Sequence, residues 1–280
     1  MSSKPSIAIV TDSTADIPDE LLAQYEIYMV NNYLIIEGKS FEDRKDITRE
    51  EFYSALPNMK TFPTTATAPS GIYQALYEQL LSQGKEFILS IHVSGRLSGI
   101  LNAASAAANS FVNRVKVIDS LSVSMGLGFQ VLAAAEAARE GASVEAILSM
   151  LVELRKRIKL VAMLDTVEYL HRSGRVSWAK ARLGELFRIK PFVEVLNGQV
   201  LSLGETRTYQ KGFTRIVEIL RRISPFEKLA ILHTNAEDRA RQLLEEIKDI
   251  LPTQVLTVNV TSVIGSHVGP NGLGFTAILK

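Results

Sequence analysis

The chain has 280 residues, 46% of them hydrophobic, and a formal net charge of +1 with its histidines neutral. That length supplies one large domain or two ordinary ones, and the near-neutral charge gives no electrostatic case for a nucleic-acid partner. Cysteine is absent, which excludes disulfides, thiolate metal ligands and a cysteine nucleophile, and fits a reducing compartment.

The first apolar run, "SIAIV" (6–10), reads as a short strand and breaks at "TDSTADIP". It is far too short for the apolar region of a signal peptide. Asp16, with Pro18 close behind, reads as the cap of a helix through "DELLAQY". "IYMVNNYLII" is extended and "EGKSFEDRKDIT" a polar loop. Thr48 and Glu51 have capping-box spacing ahead of the helix "REEFYSAL", and "KTFPTTATAPSG" is loop. "IYQALYEQLLSQG" is an amphipathic helix closed by Gly84. The stretch "ILSIHVSGRLSGILNAASAAA" (88–108) then starts as a buried strand and ends as an Ala-rich helix. A strand ("RVKVIDS") and a helix ending at Gly141 follow. Strands alternating with helices predict a mostly parallel sheet sandwiched by helices.

After the helix "SVEAILSMLVELRKRI" the rhythm changes. "KLVAMLDT" is a strand, "VEYLHRSGRVSWAKARLGELF" a helix-turn-helix passage, and "IKPFVEVLNGQVLSLGETRT" a hairpin turning at Asn197-Gly198. Helix, strand, helix and two strands complete the chain. The expected fold is therefore α/β in two domains: an N-terminal one over 1–157 built on the parallel sheet, and a C-terminal one over 158–280 with a mixed sheet. No run approaches the roughly 20 apolar residues of a membrane span, so the chain is expected to be cytoplasmic, without stable membrane insertion.

Candidate chemistry lies in the loops. Ser94-Gly95 and Ser98-Gly99 occupy a strand-to-helix junction, where open α/β sheets hold ligands. Hydroxyls and free N–H groups there suit an anion, while the structural alternative makes Ser98 a helix cap. Asp12 is either an acid, a base or a metal ligand, or the organiser of its own loop. Arg172, Arg175, Lys180, Lys190 and Arg207 either converge on an anion or form a solvated face. "VIGSHVGPNGLG" (263–274) reads as a glycine-rich loop between two strands. Its His267 either donates to a carboxylate or phosphate, or bonds to backbone. His92, His171 and His233 show no metal spacing, so no metal site is expected. A Ser-His-Asp hydrolase would need Ser94, His267 and Asp12 together. However, "HVSGR" is not the Gly-x-Ser-x-Gly elbow, and no phosphate-binding glycine motif occurs.

Taken in order, "VTDSTADIP", "GKSFEDRKDIT", "PTTATAPS", "IHVSGRLSG", "LDTVEYLHRSGRVS", "IKPFVEVLNGQV", "ETRT" and "IGSHVGPNGLG" resemble the DegV family of bacterial fatty-acid-binding proteins over nearly the full chain. The resemblance implies a two-domain α/β protein that holds a long-chain fatty acid in a tunnel between its domains. It implies presentation of the carboxyl group to a separate ATP-dependent fatty acid kinase subunit, which makes the acyl phosphate. It gives Thr65, Ser94 and His267 to the carboxylate, and Arg175 and Arg207 to the head-group opening. The chain would then be a lipid carrier without a cofactor and not an enzyme. Two positions depart from the family pattern. Ala66-Thr67-Ala68 replaces Ser-Gln-Pro, leaving Thr65 and Thr67 both as candidates, and Gly95 replaces a second serine. An acyl chain of about 15 methylenes gains at most on the order of 12 kcal/mol from burial, at roughly 0.8 kcal/mol each. The rival reading is a hydrolase or transferase acting on a small acylated or phosphorylated substrate.

Overall fold

The computed structural model describes residues 6–176, 178 and 189–280. The chain divides into two compact units, one of residues 1–33 and 66–156, the other of residues 34–65 and 157–280. A single cut near residue 157 does not describe this division, because residues 34–65 cluster with the C-terminal part.

In the first unit, β1 (Ile7–Asp12), β2 (Ile27–Val30), β6 (Phe87–His92) and β7 (Val115–Asp119) form a four-stranded sheet in the order β2-β1-β6-β7. All its pairings are parallel. Ile88, Leu89, Ser90, Ile91 and His92 are all buried in succession. Successive side chains point to opposite faces, so the sheet is covered on both, as parallel sheets require. The cover comes from helices that include α3 (Ser70–Ser82), α4 (Ile100–Ala108) and α5 (Met125–Glu140). Helix α5 ends at Gly141, as read from the sequence, and this glycine has a left-handed backbone (φ 85°). The two remaining helices of this part are α1 (Asp19–Gln24) and α6 (Val144–Arg157).

Asp16 does not cap α1. Pro18 holds the cap position, while Asp16 turns left-handed (φ 57°) and accepts a bond from the Ser124 hydroxyl at 2.6 Å. The carboxylate that looked local in sequence thus ties the β1 loop to the start of α5.

The second unit carries a six-stranded sheet made of β8 (Ile158–Met163), β9 (Lys190–Leu196), β10 (Gln199–Thr206), β11 (Phe226–His233), β12 (Val255–Asn259) and β13 (Leu273–Leu279), in the order β10-β9-β8-β13-β11-β12. Only β11 and β12 pair in parallel, joined through α9 (Glu237–Glu246). The β9–β10 hairpin turns at Asn197 (φ 49°) and Gly198 (φ 77°), the doubly left-handed geometry that Asn-Gly favours. Helix α8 (Tyr209–Ile223) buries Phe213, Ile216, Val217 and Leu220 at helical spacing, in one core with Phe192, Leu229, Ile231 and Phe275.

Residues 34–65 join this unit for identifiable reasons. They contain β4 (Lys39–Glu42) and α2 (Arg49–Ala55), with β3 (Tyr33–Ile36) and β5 (Thr64–Ala66) at their ends, and the three strands form a small sheet ordered β4-β3-β5. Thr48 and Glu51 make the capping box of α2. Phe52 and Tyr53 on α2 pack with Val263, and the Tyr53 hydroxyl donates to the Val260 carbonyl at 2.9 Å. Asp43 accepts from Thr261 at 2.6 Å. Among the described residues, no helix is long and apolar enough to cross a membrane.

Candidate functional site: a hydroxyl–imidazole pair and a buried polar chain

The glycine-rich stretch after β12 is partly helical, not a plain loop: Ser262–Val268 form α10. Its glycines are there for fit. A Cβ on Gly265 would stand 2.5 Å from the Tyr53 hydroxyl, and one on Gly269 2.3 Å from the Tyr169 ring, with Gly269 already left-handed at φ 77°. These close approaches fix α10 against α2 and α7 (Glu168–Ser173), and α10 carries His267 in its last turn.

His267 meets Thr65 of β5. The His267 Nε2 and Thr65 Oγ1 are 3.0 Å apart, with donor and acceptor set by the tautomer. Burial pushes the imidazole pKa down to about 4, and the Arg175 guanidinium adds to the shift by repelling a second positive charge. At neutral pH the ring is therefore uncharged. Of the two candidate threonines, Thr65 makes this bond; the Thr67 methyl instead faces the space beside Gly99.

The basic residues separate into two groups. Lys190 is held by the Asp165 carboxylate at 2.7 Å and by its carbonyl at 2.8 Å. Arg172 bonds Glu168 at 3.0 Å and lies over the Phe62 ring. These two are paired with carboxylates of their own unit. Arg175 is exposed just past Gly174, the left-handed cap of α7 (φ 70°), and its Nη1 donates to the Ser173 carbonyl at 2.8 Å. Arg207 is exposed at the end of the hairpin, one residue before Thr208 caps α8. Lys180 and the second helix of the helix-turn-helix passage lie outside the described residues.

In the first unit Ser94 is fully buried just beyond the end of β6. Its N–H donates to the Ser122 carbonyl at 2.9 Å, its carbonyl accepts from Leu97 and Ser98, and its Oγ accepts from the Arg96 N–H at 3.2 Å. The Ser98 hydroxyl accepts from Ile100 at 3.4 Å, at the first residue of α4. Gly95 donates to Asp119 at 3.3 Å.

Asp12 is engaged within the first unit. Its carboxylate accepts from His92 Nδ1 at 2.9 Å, from the Thr14 N–H at 3.0 Å and hydroxyl, and from the Val93 N–H at 3.3 Å. Burial raises its pKa, but the bonds from His92 and Thr14 outweigh that and hold the carboxyl below its usual range. On its other side, His92 Nε2 is 2.7 Å from the Ser90 hydroxyl, which is 2.7 Å from the Tyr77 hydroxyl. Asp12, His92 and Ser90 thus have the connectivity of a catalytic triad. Ser90, however, lies within β6, fully buried and bonded to Tyr77, where no substrate carbonyl reaches it. Sequence reading missed His92 because an isolated histidine in an apolar strand carries no spacing signal. Its only hint was position: β1 and β6 are adjacent although β2 intervenes in sequence, and both residues end their strands at this reversal of strand order. Among the described residues no cluster of three potential ligands could hold a metal ion.

Comparison with known proteins bears on the family and the fold. A family model described as "Uncharacterised protein, DegV family" matches residues 6–280. Protein DegV of Bacillus subtilis is 34% identical over 98% of this chain and 100% of its own length. A DegV family protein from Thermus thermophilus, solved in a study of its fatty acid binding, superposes with a TM-score of 0.91 at 32% identity, over 98% of this chain and 100% of that one. The Bacillus subtilis structure, described as a fatty acid binding protein, gives a TM-score of 0.87 at 32% identity, over 99% and 100%.

Proposed function

The chain belongs to the DegV family, and on that premise we propose that it binds a long-chain fatty acid whose carboxylate is received by Thr65 and His267. The observation that carries this reading is the hydroxyl–imidazole pair, 3.0 Å apart, with the ring held uncharged. A carboxylate taken out of water must be hydrogen-bonded or it is costly. Neutral donors meet that need, and they leave the oxygen more nucleophilic than a guanidinium partner would. The two related structures described by their fatty acid binding support the choice of ligand. Ser94 enters as a further carboxylate contact, on the resemblance and on its place beyond a strand end.

The bound acid would be a substrate for a separate ATP-dependent kinase subunit. A carboxylate oxygen attacks the γ-phosphorus of ATP, the bond to the β-phosphate oxygen breaks, and ADP leaves an acyl phosphate. The new group brings roughly −1.5 to −2 charges, which arginines bind bidentately. Arg175 and Arg207 are exposed and suited to that role. On this reading the protein is a cytoplasmic carrier, not an enzyme.

Titration of the delipidated protein with palmitate tests the binding site. Thr65→Val and His267→Ala should each weaken binding by roughly 10- to 100-fold, the worth of a hydrogen bond to a charged group. Unchanged affinity in both overturns the site, and no uptake by the parent protein overturns the function. Arg175→Ala and Arg207→Ala should keep palmitate binding while slowing acyl phosphate formation with the kinase and ATP. Loss of binding in both would move these residues into the fatty acid site itself.

A further inference from the structure

The chain of bonds from Asp12 to Tyr77 is entirely enclosed, yet the proposed function does not use it. Asp12, His92, Ser90, Tyr73 and Tyr77 are all at most 0% exposed, and Tyr73 meets the His92 ring edge-on at 5.4 Å. Burying the Asp12 carboxylate costs desolvation that its bonds must offset, and an apolar core in the same space is often as stable. A network retained in such a place needs a reason beyond packing.

The bonds have a direction. Among the described residues the Tyr77 hydroxyl has the Ser90 oxygen as its acceptor, so the arrangement that leaves no buried donor unmatched has Tyr77 donating to Ser90. Ser90 then gives its own proton to His92 Nε2, and His92 Nδ1–H donates to the Asp12 carboxylate. Every donor is matched once the ring carries its proton on Nδ1. The chain ends at Asp12, whose carboxylate also takes the Val93 N–H at 3.3 Å. Val93 is the residue between His92 and Ser94, and it is where β6 gives way to the turn. Ser94 is tied on its far side through its own N–H to Ser122. The tip of β1 therefore holds the tip of β6 immediately before the serine.

We propose that Asp12 and His92 are positioning residues for Ser94, fixing through the Val93 amide where its hydroxyl stands. This rests on the reading of Ser94 as a carboxylate contact. His92 aims the Asp12 carboxylate at Val93, and the hydroxyls of Ser90 and Tyr77 fix the tautomer that lets it do so.

The test compares two replacements of His92 that keep opposite halves of the ring. In His92→Asn the amide nitrogen occupies the place of Nδ1 and still donates to Asp12. In His92→Gln it occupies the place of Nε2 and Asp12 loses its donor. Gln is closer to His in volume, so a purely structural role makes Asn the worse variant. Positioning predicts the reverse in palmitate affinity: Asn stays within about threefold of the parent, whereas Gln loses about tenfold, comparable to Ser94→Ala. Asp12 and Ser94 must also couple, so that Asp12→Asn lowers affinity alone but adds nothing to Ser94→Ala. Additive losses, or Asn worse than Gln, overturn the proposal. If Ser94→Ala alone leaves affinity unchanged while the parent binds, the underlying assignment of Ser94 fails and positioning falls with it. Should the His92 variants not fold, nitrogen NMR of the intact parent decides. A proton on Nδ1 with bare Nε2 supports the chain of bonds; the opposite tautomer removes the hold on Asp12 and overturns it.

Discussion

His267 illustrates how position converts an ordinary side chain into a specific chemical group. In sequence it was one of four histidines; in the fold, burial and Arg175 lower its pKa from 6.5 to about 4. The unfolded chain takes up this proton as pH falls through 6.5, and the folded chain resists until about 4. The unfolded state therefore binds more protons across that window, so stability falls as pH drops from 6.5 toward 4 and levels off below it. Asp12, also held low when folded, acts in the same direction at more acid pH. His267→Gln should flatten the loss of denaturation midpoint between about pH 7 and about pH 5; an unchanged slope would contradict a buried neutral ring. Ser94 and His267 drew attention in the sequence because stretches rich in hydroxyls and glycines stand out, whereas Thr65 came only from the family resemblance. The partnership of Asp12 with His92 was not legible, since it joins residues 80 apart in the chain.

Local elements were read well where their chemistry is local. The capping box at Thr48 and Glu51, the Asn197-Gly198 turn and the glycine stop at Gly141 each depend on a few adjacent residues, and each forms. Thr48→Ala removes the acceptor for the Glu51 N–H and should cost about 1 kcal/mol of stability in chemical denaturation. No loss would mean that the first turn of α2 holds without its cap. Elements were misread where their reasons are distant. Strands β4 and β5 lie in stretches read as loop, yet both pair with β3 in a small sheet. Helix α10 has too few residues and too many glycines to show a period. Those glycines answer to Tyr53 and Tyr169 from other elements, not to a turn. Asp16 was assigned to the nearest helix start, whereas its partner is Ser124.

At the level of the whole molecule, alternation of strand and helix was enough to give a parallel sheet in one part and a mixed sheet in the other. It could not reveal that residues 34–65 leave the first unit for the second. That excursion is held by Tyr53, Asp43 and Phe52, whose partners lie in residues 260–263. This segment brings Thr65 to His267, the pair on which the proposed site rests. Everything proposed depends on a fatty acid being the natural occupant. Protein purified without added lipid, then denatured and extracted for mass spectrometry, tests that most directly. The account predicts long-chain fatty acids in near-stoichiometric amount, depleted in the His267→Ala variant. Their absence from the parent, with another small molecule in their place, would contradict it.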